Sequence, residues 1–114
     1  MEQPLDVLAF AKGINELLVL GALSDGPRHG YQIAMELAER SDGMFVLQHG
    51  TLYPVLHRLE KAKLVRSEWE VGDGRKRRVY SLTASGRTRL DREAARCDEV
   101  LRSLLDVVGH RRGA

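Results

Sequence analysis

The last quarter of the chain carries an apolar seam that a small core cannot cover. Leu90, Ala94, Cys97, Leu101, Leu104 and Val108 are separated alternately by four and three residues, the repeat of a coiled-coil seam on one narrow helix face. A helix with so long and narrow a stripe projects beyond a small domain. The spacing therefore predicts packing against a second copy of the chain; the other reading is packing within its own subunit. At 114 residues the chain has room for one domain. A chain of that length buries only a modest share of its surface, which association would increase.

Upstream the apolar period is helical, and then it changes. Ile14, Leu17, Leu18, Val19, Leu20, Ala22 and Leu23 predict a helix buried on most sides and ended by Ser24-Asp25-Gly26-Pro27. The preceding stretch, Leu5 to Phe10, is apolar but has no readable period. Ile33, Ala34, Leu37 and Ala38 form one stripe of a second helix over Gly30–Arg40, broken by Asp42-Gly43. Leu52, Val55, Leu56 and Leu59 make the inward face of a third helix over Gly50–Ala62, with Pro54 expected in its first turn, where proline is tolerated. From Val65 to Val71, apolar and polar residues alternate as in a strand. Gly72-Asp73-Gly74 is a hairpin turn signal, Val79–Leu82 supplies the returning strand, and Thr83 is placed to cap the last helix. With only 5% aromatic residues, the core is expected to be Leu, Val, Ile and Ala.

Three short helices, a hairpin and a long helix describe a mainly α fold with a small β-hairpin, a winged helix-turn-helix with a long C-terminal dimerisation helix. Residues 1–86 would form the DNA-binding part and residues 87–114 the dimerisation helix of the same structural unit.

Charge points the same way. Between His49 and Leu90 there are ten basic and four acidic residues, a balance of +6, which leaves −4 for the rest of a chain with net charge +2. Such asymmetry suits a domain with one part facing a polyanion. The third helix presents Thr51, His57, Arg58 and Lys61 opposite its apolar face, groups suited to base edges and phosphates. The N–H groups of Gly50 and Thr51 at its start suit a phosphate. In the basic run Arg75-Lys76-Arg77-Arg78, alternate side chains point oppositely, so all four cannot reach one groove. Arg75 and Lys76 beside the turn are the better placed, with Arg77 next.

Four segments carry a resemblance: ELLVL from Glu16, GPRHGY from Gly26, GTLYPVLHRLE from Gly50 and RVYSLT from Arg78, followed by Gly86. In combination they resemble the PadR family of bacterial regulators, in its short members. The resemblance implies a winged-helix homodimer, usually a repressor, in which the C-terminal helix packs on the partner's N-terminal and C-terminal helices. By position it implies that Tyr31, Thr51 and Tyr53 lie near DNA, although the Tyr53 ring could instead cap the core. His29 and Arg28 at the start of the second helix could reach phosphate or occupy a turn, Arg28 the better placed for phosphate. Lys63 stands where the family commonly has glycine, a residue suited to a left-handed helix end; a lysine there strains or alters the turn at about 1 kcal/mol.

Phosphate contacts are thus expected from Arg28, Lys61, Lys63, Arg75 and Lys76, and base discrimination from Thr51, His57 and Arg58. The dimer would place two recognition helices in successive major grooves of an inverted repeat, about 34–36 Å apart. Relatives that bind aromatic molecules in a dimer pore use a tryptophan on the last helix. The single tryptophan here, Trp69, falls in the hairpin, where a packing role is expected, so a small-molecule effector stays open.

Catalysis, metals and cofactors have no support in the residues. There is no nucleophile elbow or phosphate loop, and His29, His49, His57 and His110 lack tight ligand spacing. Cys97 is the only cysteine, which rules out an intrachain disulfide and favours a core role over a redox one. No apolar run approaches the roughly 20 residues of a membrane helix, and Met1-Glu2-Gln3-Pro4 lacks the basic start of a secretory signal, so a cytoplasmic protein is expected. The rival of another class is a winged helix serving as a protein-interaction adaptor; the basic wing argues against it, as the chain's length argues against the longer-armed MarR type.

Overall fold

A computed structural model describes residues 4–109; the expectations for Met1, Glu2, Gln3 and His110, and for the end of the 87–114 segment, fall outside them. The elements run α1 (Val7–Ala22), β1 (Arg28–His29), α2 (Gly30–Arg40), α3 (His49–Lys61), β2 (Val65–Gly72), β3 (Arg75–Leu82) and α4 (Ala84–Val108). The three strands form one antiparallel sheet in the order β1-β3-β2. This is the expected winged helix-turn-helix with its long last helix, and it differs from the sequence reading in three places.

The first difference is the start of α1. The Asp6 carboxylate accepts a hydrogen bond from the Ala9 N–H at 3.1 Å, capping a helix that begins at Val7 rather than Ile14. Its opening turns expose Val7 and Leu8, so they show no inward stripe. The second is β1, which is too short to have a period and which turns the expected hairpin into a three-stranded sheet. The third is α3, which starts at His49, so that Pro54 lies inside the helix beyond its first turn. Thr51 and Leu52 both donate to the Gln48 carbonyl, each at 2.9 Å, and so tighten the entry to the helix.

The core lies where α1, α2 and α3 meet the sheet. Leu20, Leu23, Ile33, Leu52, Leu56 and Leu59 are fully buried there, so the inward face expected for α3 is the one observed. Tyr80 is the buried aromatic of the sheet, and burial pushes its phenol up from its ordinary range.

Two sets of bonds fasten the ends of the helices. Arg28 Nε donates to the Ala22 carbonyl at 2.8 Å, Arg40 Nη1 to Gly21 at 3.2 Å and the Arg87 guanidinium to Ser24. Cations from β1, α2 and α4 thus neutralise the negative end of α1. At the end of α3, Leu64 N–H donates to Leu59 C=O at 2.9 Å and Lys63 N–H to Glu60 C=O at 3.0 Å, a Schellman closure. Lys63 occupies its left-handed position at φ 63°. The expected strain is therefore present at the residue expected to carry it.

α4 begins against this same turn. Thr83 Oγ1 donates to the Lys63 carbonyl at 2.7 Å and accepts from Gly86 N–H at 3.0 Å, while Thr83 N–H donates to Leu64 C=O at 3.1 Å. A Cβ on Gly86 would lie 2.0 Å from the Leu64 carbonyl oxygen. Only glycine lets the helix approach so closely. Over its 25 residues α4 runs about 37 Å and extends past the body, so that the chain measures 56 × 29 × 24 Å overall.

Candidate functional site

The hairpin fixes the geometry of the face that the charge distribution singles out. Asp73 at φ 51° and Gly74 at φ 73° form a two-residue turn with both residues left-handed, which matches the twist of the strands. It pairs Gly72 with Arg75 and sets the register back through Val71–Lys76, Glu70–Arg77 and Trp69–Arg78 to Val65–Leu82. Residues facing each other across strands share a side of the sheet. Lys76 and Arg78 therefore project on the side of Tyr80, and Arg75 and Arg77 on the other.

Between the wing, the start of α2 and the start of α3 lies a cleft of about 710 Å³. His29, Tyr31, Tyr53 and Trp69 line it together with the β3 cations Arg75 to Arg78. Gly30 makes its floor possible, since a Cβ there would meet the Tyr53 hydroxyl at 2.5 Å. The Tyr53 ring packs on the start of α2, while the residue stays 38% exposed. Its other side is shared with His49, the two ring centroids 5.6 Å apart. Tyr31 is 61% exposed at the rim.

The expected site residues separate into three groups. Gly50, Thr51, His57, Lys61 and Lys63 are exposed on or just after α3, and Arg75, Lys76 and Arg77 on the wing. Among the described residues, Lys61, Lys63, Arg75 and Lys76 have no ion-pair partner. Arg77 makes no ion pair either, but its Nη1 lies 3.2 Å from His29 Nε2. Burial first, and then the Arg77 guanidinium, hold the His29 imidazole below its ordinary range, against a smaller opposite pull from Glu70.

Arg28 and Arg58 are also engaged within the fold, Arg28 at the turn that was one of its two expected places. The Arg28 guanidinium binds the Ala22 carbonyl, Asp25 at 3.1 Å and Glu36 at 3.4 Å, a network that also includes Arg40. Its hydrogen bond to Asp25 is the main cause holding that carboxyl below its usual value. Arg58 Nε pairs with Glu16 Oε2 of α1 at 3.2 Å. Both side chains brace the fold.

Trp69 packs within the hairpin as expected, but against a cation and not in the core. It is 61% exposed, and its ring lies beneath Arg78, whose guanidinium carbon is 5.2 Å from the ring centroid. That contact, and the one between His29 and Arg77, lie outside the expectations from the sequence. The register of the two-residue turn is the signal that would have paired Trp69 with Arg78.

The seam residues of α4 behave unevenly within the subunit. Leu90 is 9% exposed, but Leu101, Leu104 and Val108 are more than half exposed, and Cys97 is intermediate. Leu90, Ala94, Cys97 and Leu101 form one wall of an apolar groove of about 510 Å³, opposite Leu17 and Leu18 of α1. Among the described residues, no His, Cys, Asp or Glu cluster could hold a metal ion, and no helix is long and apolar enough to cross a membrane.

Comparison with known proteins agrees with this architecture. The transcriptional regulator PadR-like family pattern matches residues 19–92. A transcriptional regulator of Mycobacterium tuberculosis is 36% identical over 104 residues, covering 91% of this chain and 94% of its own. A PadR family regulator from Eggerthella lenta superposes with TM-score 0.75 at 28% identity, covering 92% of this chain and 90% of its own. PadR of Bacillus subtilis, solved with operator DNA, shares the fold with TM-score 0.66 at 23% identity; the match covers 71% of this chain and 46% of that one.

Proposed function

This chain belongs to the PadR-like family of transcriptional regulators, and on that premise we propose that it binds operator DNA as a homodimer, acting as a repressor. The observation that carries this reading is the set of cations without ion-pair partners, among the described residues, on two adjoining elements: Lys61 and Lys63 at the end of α3, and Arg75 and Lys76 on the wing. Arg75 and Lys76 line the cleft beside Tyr31 and Tyr53, and a fold that needed charge only for solubility would have no reason to leave a run of cations exposed there. The Bacillus subtilis relative solved with operator DNA lends support.

In this reading α3 enters the major groove, and Gly50, Thr51, Tyr53 and His57 approach the bases and the adjacent backbone. Lys61, Lys63, Arg75, Lys76 and Arg77 meet phosphates, with Tyr31 at the edge of the contact. Arg28 and Arg58 contribute by holding α1, β1, α2 and α3 in place. The α4 seam (Ala94, Cys97, Leu101, Leu104, Val108, continuing from Leu90) closes against the same seam of a second copy. Residues 1–86 and 87–114 then work as a reading part and a pairing part of one unit. An effector that enters the apolar groove between α1 and α4 would act by changing that pairing.

The test is fluorescence anisotropy of a labelled duplex recovered from a random-sequence library by selection on the protein, titrated beside a scrambled duplex at several salt concentrations. A sequence-specific regulator prefers the selected duplex, with log affinity falling steeply as log salt rises. Weak, equal binding to both duplexes would reject this reading and favour the adaptor.

A further inference from the structure

Of the four consecutive wing cations, Arg78 is the one that makes an ion pair among the described residues. Its Nε donates to Ser67 Oγ at 2.8 Å, its Nη2 lies 3.5 Å from Glu60 Oε2, and its guanidinium covers Trp69. Ser67 Oγ in turn donates to the same Glu60 oxygen at 2.6 Å. The four residues come from three places: Glu60 from the last turn of α3, Ser67 and Trp69 from β2, and Arg78 from β3. Together they form a closed link between the helix and both strands of the wing.

The position of Glu60 shows that the link is not an accident of packing. A carboxylate in the last turn of a helix opposes the helix dipole, and on a face read as meeting DNA it also repels phosphate. Both effects are unfavourable, and an arginine delivered from the wing offsets them. We propose that Arg78, through Glu60, Ser67 and Trp69, is a positioning residue that sets the angle of the wing against α3, and that it raises the preference for the cognate sequence without itself touching DNA. This rests on the DNA-binding reading above. A wing held at one angle lets its tip and α3 engage one duplex together; a loose wing binds any duplex by charge alone.

The geometry requires a guanidinium, whose planar fork can bond Ser67 and Glu60 while its face covers an indole; a lysine keeps the charge but cannot do this. In the anisotropy assay, Arg78→Lys should lose about fivefold in affinity for the selected duplex, with the scrambled duplex and the salt slope little changed. Glu60→Gln gives the sharper test because the two ideas differ in sign. Removing a negative charge beside DNA should tighten binding to both duplexes, whereas breaking the link should weaken the selected duplex alone. Full affinity in Arg78→Lys, or equal tightening in Glu60→Gln, overturns the proposal. So does a fall of about one in the salt slope for Arg78→Gln, the mark of a phosphate contact.

Trp69 supplies a readout that needs no DNA. As the only tryptophan, it should become more accessible to acrylamide in both Arg78→Lys and Glu60→Gln while far-ultraviolet circular dichroism stays the same. Unchanged quenching in the folded Glu60→Gln protein would also overturn the link. If the parent chain enriches no duplex from the library, the DNA reading has failed, and the quenching result alone decides whether the link exists.

Discussion

Lys63 holds a conformation that favours glycine, and the bonds around it leave it no alternative. The Leu64 and Lys63 amides close α3, and the Lys63 carbonyl accepts from Thr83. Relaxing the residue at φ 63° would break that closure, so the strain of about 1 kcal/mol is retained. Lys63→Gly should therefore stabilise the protein by about that amount in urea unfolding. If Lys63 meets a phosphate, the same change should weaken DNA binding and lower the salt slope by about one. A destabilised Lys63→Gly protein would show that the lysine packs favourably in that turn.

His29 sits where the wing touches α2, and its depressed basicity sets the sign of a pH effect. Well above pH 6.5, its ordinary value, the ring is neutral both folded and unfolded and contributes nothing. As pH falls through that value the unfolded chain takes up a proton that the folded one resists, so stability declines. The ring should titrate below 6.5 by NMR in the free protein, and His29→Gln should flatten the acid side of the stability profile. A midpoint at or above 6.5 would contradict the burial of the ring and its contact with Arg77.

At the scale of elements, legibility followed the direction in which apolar residues face. α2 was readable to its ends because Ile33 and Leu37 point inward and Asp42-Gly43 stops the helix; both residues take positive φ there. The inward face of α3 was readable for the same reason. The first turns of α1 were not, because Val7 and Leu8 face out of the subunit and a period presupposes a face turned inward. β1 has only two residues and no period at all. In the candidate site, the exposed residues of α3 and the wing were legible as polar and basic. The side chains that turn back were not: Arg28, Arg58 and Arg78 look like any surface arginine until their partners Asp25, Glu16 and Glu60 are brought beside them by the fold.

α4 gives this scale its prediction. Leu101 and Leu104 are about half exposed in the subunit, and in the proposed dimer they meet their counterparts across a two-fold axis. Leu101→Asp would bury two carboxylates there, each costing about 2 kcal/mol or more. It leaves the core residues of the body untouched. The variant should sediment as a single folded chain and bind the selected duplex with the affinity of one half-site. A Leu101→Asp protein that remains a dimer would move the pairing surface elsewhere.

For the whole molecule, the question is how firmly the pairing helix is attached to the reading helix. Thr83 ties the start of α4 to the end of α3 through the Lys63 and Leu64 carbonyls, Gly86 brings the two backbones into contact, and Arg87 holds α4 to the end of α1 at Ser24. No flexible linker separates α4 from the winged body, since only Thr83 stands between β3 and α4. A dimer built through α4 would therefore present its two copies of α3 at one separation and one angle. Rigidity of this kind makes half-site spacing a strict requirement, because two readers fixed about 34–36 Å apart meet the same groove face only one helical turn apart. Inserting about five base pairs between the half-sites turns the second one to the opposite face of the duplex, and specific affinity should fall to that of a single half-site. Inserting about ten restores the facing but adds a full turn of distance, and a stiff dimer should still fail to bridge it. Recovery at ten would mean that α4 swings relative to the body, and the bonds from Thr83 and Arg87 would then have to open on binding.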